Sequence, residues 1–320
     1  MNKGMKIWML AAGIALLLGI VILGGVMTVL KWDFTKLSTN QFETNVHEIK
    51  EDFRGISIAG ETAHIVLVPS ENEACSVVCY EQKNQKHSVE VEDGVLVIKS
   101  VDSRKWYEHI GISFSTPTVT VSVPSGKYGD LQIKSSTGRV EISKDFEFES
   151  IAISQSTGDV KCYASASGNL KIATDTGDVL AEHLSAGSLS LSVTTGRITA
   201  SNIVCEGEVK LAVSTGRTKL SDLKCQALTS TGSTGDVSLR NVLAEGSLSI
   251  ERSTGDVKFE SCDAAEITVK TTTGDVSGTL RSEKLFIAKS NTGSVRVPES
   301  GNGGKCRITT NTGDVKMTLE

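Results

Sequence analysis

The chain has 320 residues and carries 33 Lys and Arg against 38 Asp and Glu, which gives a formal net charge of −5. This acidic balance and a pI near 5.7 argue against a nucleic-acid partner, because such a partner requires a basic surface. The chain has only four prolines and few aromatic residues, and its columns of apolar residues are complete, which argues against a disordered stalk.

An uncharged apolar segment, residues 7–30, lies near the N-terminus and is long enough to cross a bilayer as a helix. Lys3 and Lys6 precede it, while Lys31 after it is offset by Asp33, so the positive-inside bias places the N-terminus in the cytoplasm. We predict an uncleaved signal anchor in the cytoplasmic membrane, with the rest of the chain outside. A cleaved signal peptide is the alternative, although no convincing small-x-small cleavage site follows.

The segment after the anchor divides into two parts before regular repeats begin. A polar tether precedes a strand-rich segment without a fixed period, in which Asp93-Gly94 is a hairpin signal and Val123-Pro124 marks the end. We expect the second part to cap the first edge of the repeats, which would otherwise expose unpaired strand groups. The predicted division is a transmembrane signal anchor (1–30), a tether (31–50), a cap (51–130) and regular repeats (131–320).

A tripeptide recurs along the repeat region: Thr-Gly followed by Asp, Arg or Ser, every 19 or 20 residues. Ten such periods are typical of a solenoid whose coils stack on one another. The glycine is expected because the corner between two strands requires a positive φ. The glycines are Gly138, Gly158, Gly177, Gly196, Gly216, Gly235, Gly255, Gly274, Gly293 and Gly313.

Apolar residues recur at fixed positions relative to each of these glycines. The residues at three positions are apolar in nearly every period: seven residues before the glycine, five before it and two after it. Polar residues lie between them, which is the pattern of strands with one buried face. A further apolar position, seven after the glycine, is occupied by Leu184, Ile203, Leu223 and Val242. We therefore predict an all-β protein: a single-stranded parallel β-solenoid (β-helix) of about ten coils, roughly 45–50 Å long at the strand spacing.

The residue after each glycine forms a column along the rod, and in it Asp236, Asp256 and Asp275 stand in successive coils. We take these three as a candidate surface-binding column, with each aspartate expected to accept hydrogen bonds from its own turn. A calcium column and a catalytic carboxylate pair are alternatives. The stacked threonines, such as Thr174/Thr176 and Thr310/Thr312, leave an ice-binding face as a further alternative.

The chain contains seven cysteines and five histidines, which are candidate metal or catalytic residues. Cys162, Cys262 and Cys306 share the phases of inward apolar residues, so they are predicted to be buried free thiols. Cys75 and Cys79 are weak evidence for a metal, and the histidines are scattered without a recurring partner. No catalytic residue, cofactor or metal site is predicted.

The sequence resembles the bacterial putative-adhesin family of β-strand repeat proteins over roughly residues 50–320. The resemblance is carried by AHIVLVPSEN, GVLVIKS, VTVSVPSGKYGDLQIKSSTGRVEI and the later Thr-Gly-Asp-Val periods. It implies an extracytoplasmic protein and, because some members occur with envelope stress-response systems, sensing or surface interaction rather than chemistry.

These observations favour a binding or scaffolding module in the bacterial cell envelope that is held by the membrane through residues 7–30. Its expected partner is a cell-wall polymer or an envelope protein, and it is not expected to be an enzyme. Self-association into a polymer is the alternative, because nothing obvious after Gly313 covers the last coil. A glycan-active β-helix enzyme is the less favoured alternative.

Overall fold

The computed structural model describes residues 3–33, 41–104, 115–299 and 301–320. The described residues form one helix followed by strands that join a single continuous sheet. In chain order these elements are α1 Lys3–Val29, β1 Phe42–Ile49, β2 Gly55–Thr62, β3 His64–Pro69, β4 Cys75–Gln82, β5 Gln85–Glu92, β6 Val95–Asp102, β7 Thr118–Val123, β8 Gly126–Thr137, β9 Val140–Ile142, β10 Phe146–Thr157, β11 Val160–Cys162, β12 Ser165–Thr176, β13 Val179–Thr195, β14 Ile198–Cys205, β15 Glu208–Thr215, β16 Thr218–Thr234, β17 Val237–Thr254, β18 Val257–Thr273, β19 Val276–Leu280, β20 Leu285–Thr292, β21 Val295–Arg296, β22 Lys305–Thr312 and β23 Val315–Leu319.

The predicted parallel β-solenoid is confirmed. Strands of successive coils pair in parallel and in register, so that each residue lies beside its equivalent one period later; Leu228 pairs with Leu248, and Val237 with Val257. The inward residues at these positions are almost fully buried and form one continuous hydrophobic core along the rod. Stacking identical positions therefore buries the apolar face that no single coil could bury alone.

Each coil turns at the Thr-Gly corner, where the ten repeat glycines all have positive φ values between 128° and 148°. A second corner lies six residues after the glycine and is occupied in five successive coils by non-glycine residues with φ near 54°. Short polar side chains tolerate this left-handed conformation better than other residues. The residues of this second corner are His183, Asn202, Asp222, Asn241 and Ser261.

The solenoid begins one coil earlier than the glycine repeat. Strands β2 and β3 pair in parallel with β8 and β9, so Thr62 lies beside Thr137 and Ala63 takes the place of a corner glycine. The Ala63 amide donates to the Thr137 carbonyl, as the corner glycine amides do to the threonine of the neighbouring coil, except at Gly293 in the edge coil. Strands β6 and β7 then pair on the other side of this coil.

Antiparallel strands complete the N-terminal end. Strand β4 pairs antiparallel with β7 and with β1, while β5 pairs antiparallel with β6. A tight connection between Gln82 and Gln85 joins β4 to β5. From here on, the cap means these strands together, including β1, which lies within the segment predicted as a tether (31–50). The cap continues the hydrophobic core through Val77, Cys79 and Leu96.

The coils at the C-terminal end do not stack in chain order. Strand β22 pairs with β18 on one side and with β20 on the other, so the coil of Gly313 lies between those of Gly274 and Gly293. The expectation that the last coil in sequence forms the outer edge is therefore wrong. The edge is β20, and it carries outward apolar residues, Leu285 and Ile287, that are 39% and 40% exposed.

Helix α1 contains a segment, Gly4–Val29, that is long and apolar enough to cross a membrane by length and composition. None of its most apolar window is buried against the rest of the described chain. The helix thus fits single-pass membrane anchoring, and a signal sequence at the N-terminus has the same properties.

Candidate functional site

The aspartate column lies at the exposed Thr-Gly corner, one residue after each glycine. Asp236 Oδ1 accepts a hydrogen bond from the backbone N–H of Asp256 at 3.1 Å, and Asp256 Oδ1 accepts one from Asp275 at 2.8 Å. Asp275 Oδ1 in turn accepts from Asp314 at 2.7 Å. The three candidate residues are therefore brought together as a ladder. The expectation that each bonds within its own turn is wrong, because the donor belongs to the next coil.

The ladder extends beyond the three candidate residues. Asp178 Oδ1 accepts from the Arg197 amide at 2.8 Å, and at the other end Asp314 Oδ1 accepts from the Ser294 amide at 2.7 Å. Hydrogen bonds from Ser294 lower the pKa of Asp314 below its usual range. These bonds join neighbouring coils at a point where glycine provides no side chain of its own.

A histidine occupies the ladder position of the first coil. His64 Nδ1 lies 2.9 Å from the backbone N of Arg139, which donates the hydrogen bond. The ring is therefore held with Nδ1 as the acceptor. Sequence analysis missed this role, because Thr62-Ala63-His64 shares only its threonine with Thr-Gly-Arg.

A shallow groove of about 470 Å³ lies on the same corner face, where arginines replace two of the aspartates. Arg197 and Arg217 come from successive coils, and Lys219 lies beside them. All three cationic side chains are exposed. One acid, Asp236, faces them, with its Oδ2 3.9 Å from Arg217 Nε. We call this the basic groove; it is lined by Arg197, Thr199, Arg217, Thr218, Lys219, Asp236 and Ser238.

Three residues before each glycine, a mostly polar column points into the rod. Thr174, Thr271 and Thr310 are at most 3% exposed, so the ice-binding alternative, which needs an outward threonine face, is wrong. Arg252 occupies the same column and is 3% exposed. Its guanidinium donates to Ser230 Oγ at 2.9 Å and Thr218 Oγ1 at 3.2 Å, and burial lowers the pKa of Arg252 to about 10.

The cysteines are free, as predicted, and Cys162, Cys262 and Cys306 are fully buried. Burial raises the pKa of the Cys162 and Cys306 thiols to about 12, so they are inert at neutral pH. The histidines were expected to lack a recurring carboxylate or cysteine partner; His87 has a single one, because its Nδ1 lies 2.7 Å from Glu81 Oε2. His109 lies outside the described residues.

The chain was compared with protein families, curated proteins and solved structures. The Toastrack DUF4097 family matches residues 53–317. No curated protein matches the chain. Among solved structures, a putative adhesin from Parabacteroides merdae is 11% identical, with 88% of this chain and 97% of that chain covered and a TM-score of 0.38.

Two other solved structures have similar coverage. A putative lipid binding protein from Parabacteroides distasonis is 14% identical over 88% of this chain and 98% of that chain, with a TM-score of 0.36. A putative adhesin from Bacteroides fragilis is 14% identical over 87% of this chain and 97% of that chain, with a TM-score of 0.32. The family match spans most of the chain and includes both the cap and the repeats: the chain belongs to the Toastrack DUF4097 family.

Proposed function

We propose that this protein is an extracytoplasmic binding or scaffolding module of the bacterial cell envelope, anchored in the cytoplasmic membrane by its uncleaved N-terminal helix. The unburied apolar helix supports the anchor, and Lys3 and Lys6 at its start, with Lys31 offset by Asp33 after it, support the orientation. The continuous core supports a rigid rod, which holds its surface groups at fixed spacing.

The observation that carries the binding role is the basic groove. Arg197 and Arg217 lie one coil apart, at a spacing of about 4.8 Å, and Asp236 is the one acid in the lining of the groove. Their planar guanidinium groups suit phosphate or carboxylate oxygens, which they bind through paired hydrogen bonds. The groove is open along the rod, so it fits an extended polymer better than an enclosed small molecule. Its partner is therefore proposed to be an anionic cell-wall polymer.

Site-specific photocrosslinking in intact cells tests this proposal. A photoreactive residue at Lys219 lies in the basic groove, whereas one at Lys171 lies on an exposed position before the turn, on another face of the rod. We expect a polymer adduct from position 219 that is lost when Arg217→Glu is added, and no such adduct from position 171. A protein adduct at position 219 would mean that the partner of the groove is an envelope protein and not a polymer. Equal adducts from both positions would refute the groove as the binding site.

We further propose that the protein is not an enzyme and that the aspartate column has a structural role. Asp256 uses Oδ1 to hold the Asp275 amide, so this carboxylate is already committed to the neighbouring coil. If wall glycans are cleaved by the protein and Asp256→Asn abolishes the cleavage without altering stability, this part of the proposal is refuted.

Self-association is a second candidate, and the exposed edge of β20 favours it. Leu285 and Ile287 point outward there, whereas the residues equivalent to Ile287 in two neighbouring coils are polar, Thr268 and Arg307. Unpaired strand edges with apolar residues readily add another strand. Light scattering of the detergent-solubilised chain over a range of concentrations should then show growth that Ile287→Lys abolishes. The matched control Thr268→Lys should leave that growth intact, and a strict monomer would refute this candidate.

A further inference from the structure

Three metal-ligating side chains meet inside the cap, away from the corner face. Cys79 and Glu81 lie on β4, and His87 lies on β5. One ligand atom from each lies within 4.8 Å of the other two. Their residues are 0%, 1% and 7% exposed, so the cluster is enclosed by protein. It is the only group of this kind among the residues that the structure describes.

The carboxylate of the cluster is held in place by several donors. Glu81 Oε1 accepts from Asn45 Nδ2 at 2.7 Å, and Glu81 Oε2 accepts from the backbone N–H of His87 at 2.7 Å. The His87 ring approaches the same oxygen at 2.7 Å through Nδ1. Asn45 lies on β1 directly opposite Cys79, so three strands contribute to the arrangement. Partners that orient a ligand in this way are typical of metal sites.

Two groups on the faces of β1 and β4 that carry the cluster lack partners of their own. Within the described part of the chain, the Cys79 thiol makes no hydrogen bond, as is also true of Cys75, Cys225 and Cys306. His47 Nε2 is buried and has no hydrogen-bond partner. His47 pairs with Val77 on the face of β1 that also carries Asn45, and Val77 is two residues from Cys79. Diagonal neighbours across an antiparallel pair are about 7–8 Å apart, within reach of a long side chain.

We propose that Cys79, Glu81 and His87, with His47 as the fourth ligand, form a site for a divalent transition metal, with zinc as the best match. Thiolate, imidazole and carboxylate are the three ligand types that zinc takes in four-coordinate sites. Such a site separates neighbouring nitrogen and oxygen ligands by about 3.3 Å. The 2.7 Å contact between His87 and Glu81 therefore has to open by a few tenths of an ångström, which side-chain rotation provides.

The charge balance of the buried cluster suits this metal. Cys79 would bind zinc as the thiolate and Glu81 as the carboxylate. The thiolate and the carboxylate then neutralise the two charges of the ion, and the imidazoles remain neutral. An uncompensated charge in this enclosed place would be costly, and the occupied site carries none.

The site joins the strand nearest the anchor to the rest of the cap. Strand β1 pairs only with β4 among the described strands, and it begins at Phe42, shortly after the helix end at Val29 in sequence. A metal bound by His47 of β1 and by residues of β4 and β5 ties this edge strand to the cap. Metal binding then stabilises the folded cap, because ligands brought together by folding bind more tightly than those of an unfolded chain.

Titration of the full chain in detergent micelles with Co²⁺ and with Zn²⁺ tests the site. We expect one equivalent of Co²⁺ to give a thiolate-to-cobalt charge-transfer band, and Zn²⁺ to remove that band by competition. Cys79→Ser should abolish the band, and Asn45→Ala should weaken Zn²⁺ binding by about tenfold or more, because Asn45 orients Glu81. His47→Ala should weaken binding while the band persists, because the thiolate remains.

The matched control is Cys75→Ser, which removes a thiol from the same strand and leaves the cluster intact. This variant should bind one equivalent of Zn²⁺ with unchanged affinity. No charge-transfer band in the wild-type chain, or an equal band in Cys79→Ser, would overturn the proposal whether or not the variants fold. Loss of the band in Cys75→Ser with retention in Cys79→Ser would also overturn it, because the metal would then belong to another thiol.

Discussion

Replacing a corner glycine in the middle of the rod should destabilise it strongly. Gly216 has φ of 142°, and a Cβ built there would lie 1.7 Å from the carbonyl oxygen of Gly196 in the preceding coil. Real Cβ atoms essentially never come within 3.0 Å of another heavy atom, so in Gly216→Ala the two corners must separate by at least 1.3 Å, the difference between those values.

The energetic cost follows from the contacts at this corner. Separation breaks two backbone bonds between these coils, Gly196 N to Thr215 O and Ile198 N to Arg217 O, both 3.0 Å long. Each contributes about 1 kcal/mol. The φ strain adds about 1–3 kcal/mol. We therefore expect the free energy of unfolding to fall by about 3–5 kcal/mol, a large part of the stability of a typical domain.

Urea denaturation followed by circular dichroism measures this loss, because a lower midpoint at an unchanged slope reports lower stability. The matched control is Gly126→Ala, where the added Cβ meets nothing within 4 Å and φ is not positive. That variant should lie close to the wild type. If Gly216→Ala and Gly126→Ala unfold at the same midpoint, the close approach of neighbouring corners does not determine the stability of the rod.

Three further predictions concern polar groups of the repeats. Asp256→Ala should lower the free energy of unfolding by about 1 kcal/mol, because the Asp275 amide loses its acceptor. Asp256→Asn keeps an acceptor and should stay near the wild type in the same urea assay. Equal losses of stability in the two variants would contradict the ladder. The pKa of Asp314 is lowered in the folded state, so its contribution to stability is present above the usual aspartate pKa of 3.8 and is lost as pH falls through the lowered value. Asp314→Asn should therefore reduce the fall of the urea midpoint between pH 5 and pH 2, the range below and around the unfolded-state aspartate pKa of about 3.9. The same pH dependence in the variant and the wild type would contradict this. Arg252→Met should raise the melting temperature, because an apolar side chain replaces a buried cation that has no carboxylate partner. A lower melting temperature would show that the hydrogen bonds of Arg252 to Ser230 and Thr218 outweigh the cost of burying its charge.

The stacking of the repeats could be predicted from sequence because it depends on residues at fixed positions. Leu228 and Leu248 occupy equivalent places one period apart, and strand pairing has only to bring equivalents together. The second corner was missed, although Asn202, Asp222 and Asn241 are residue types that favour a left-handed conformation. A period-two pattern shows which residues are buried, but it does not show where the chain turns.

The candidate site was less predictable. The aspartate column was found from sequence, but the identity of its hydrogen-bond donor depends on the offset between coils, which a repeat period does not specify. The cluster of Cys79, Glu81 and His87 is brought together by an antiparallel hairpin in the cap, where no repeat fixes the register. The basic groove results from Arg197 and Arg217 in neighbouring coils; their separation by one period places them side by side, but the groove between them is seen only in the structure.

The exchanged order of the C-terminal coils has a consequence for how the chain is made. Strands β20 and β21 leave a ribosome before β22 and β23, yet β22 is the neighbour of β18 in the finished rod. Coil-by-coil growth that follows synthesis can proceed only as far as the coil of Gly274. The segment 285–296 must then wait unpaired, or pair temporarily with β18, until residues 305–319 have been made and take the inner place. Completion of the rod therefore waits for β22 and β23, which take an inner place after the strands of the outer coil have been made.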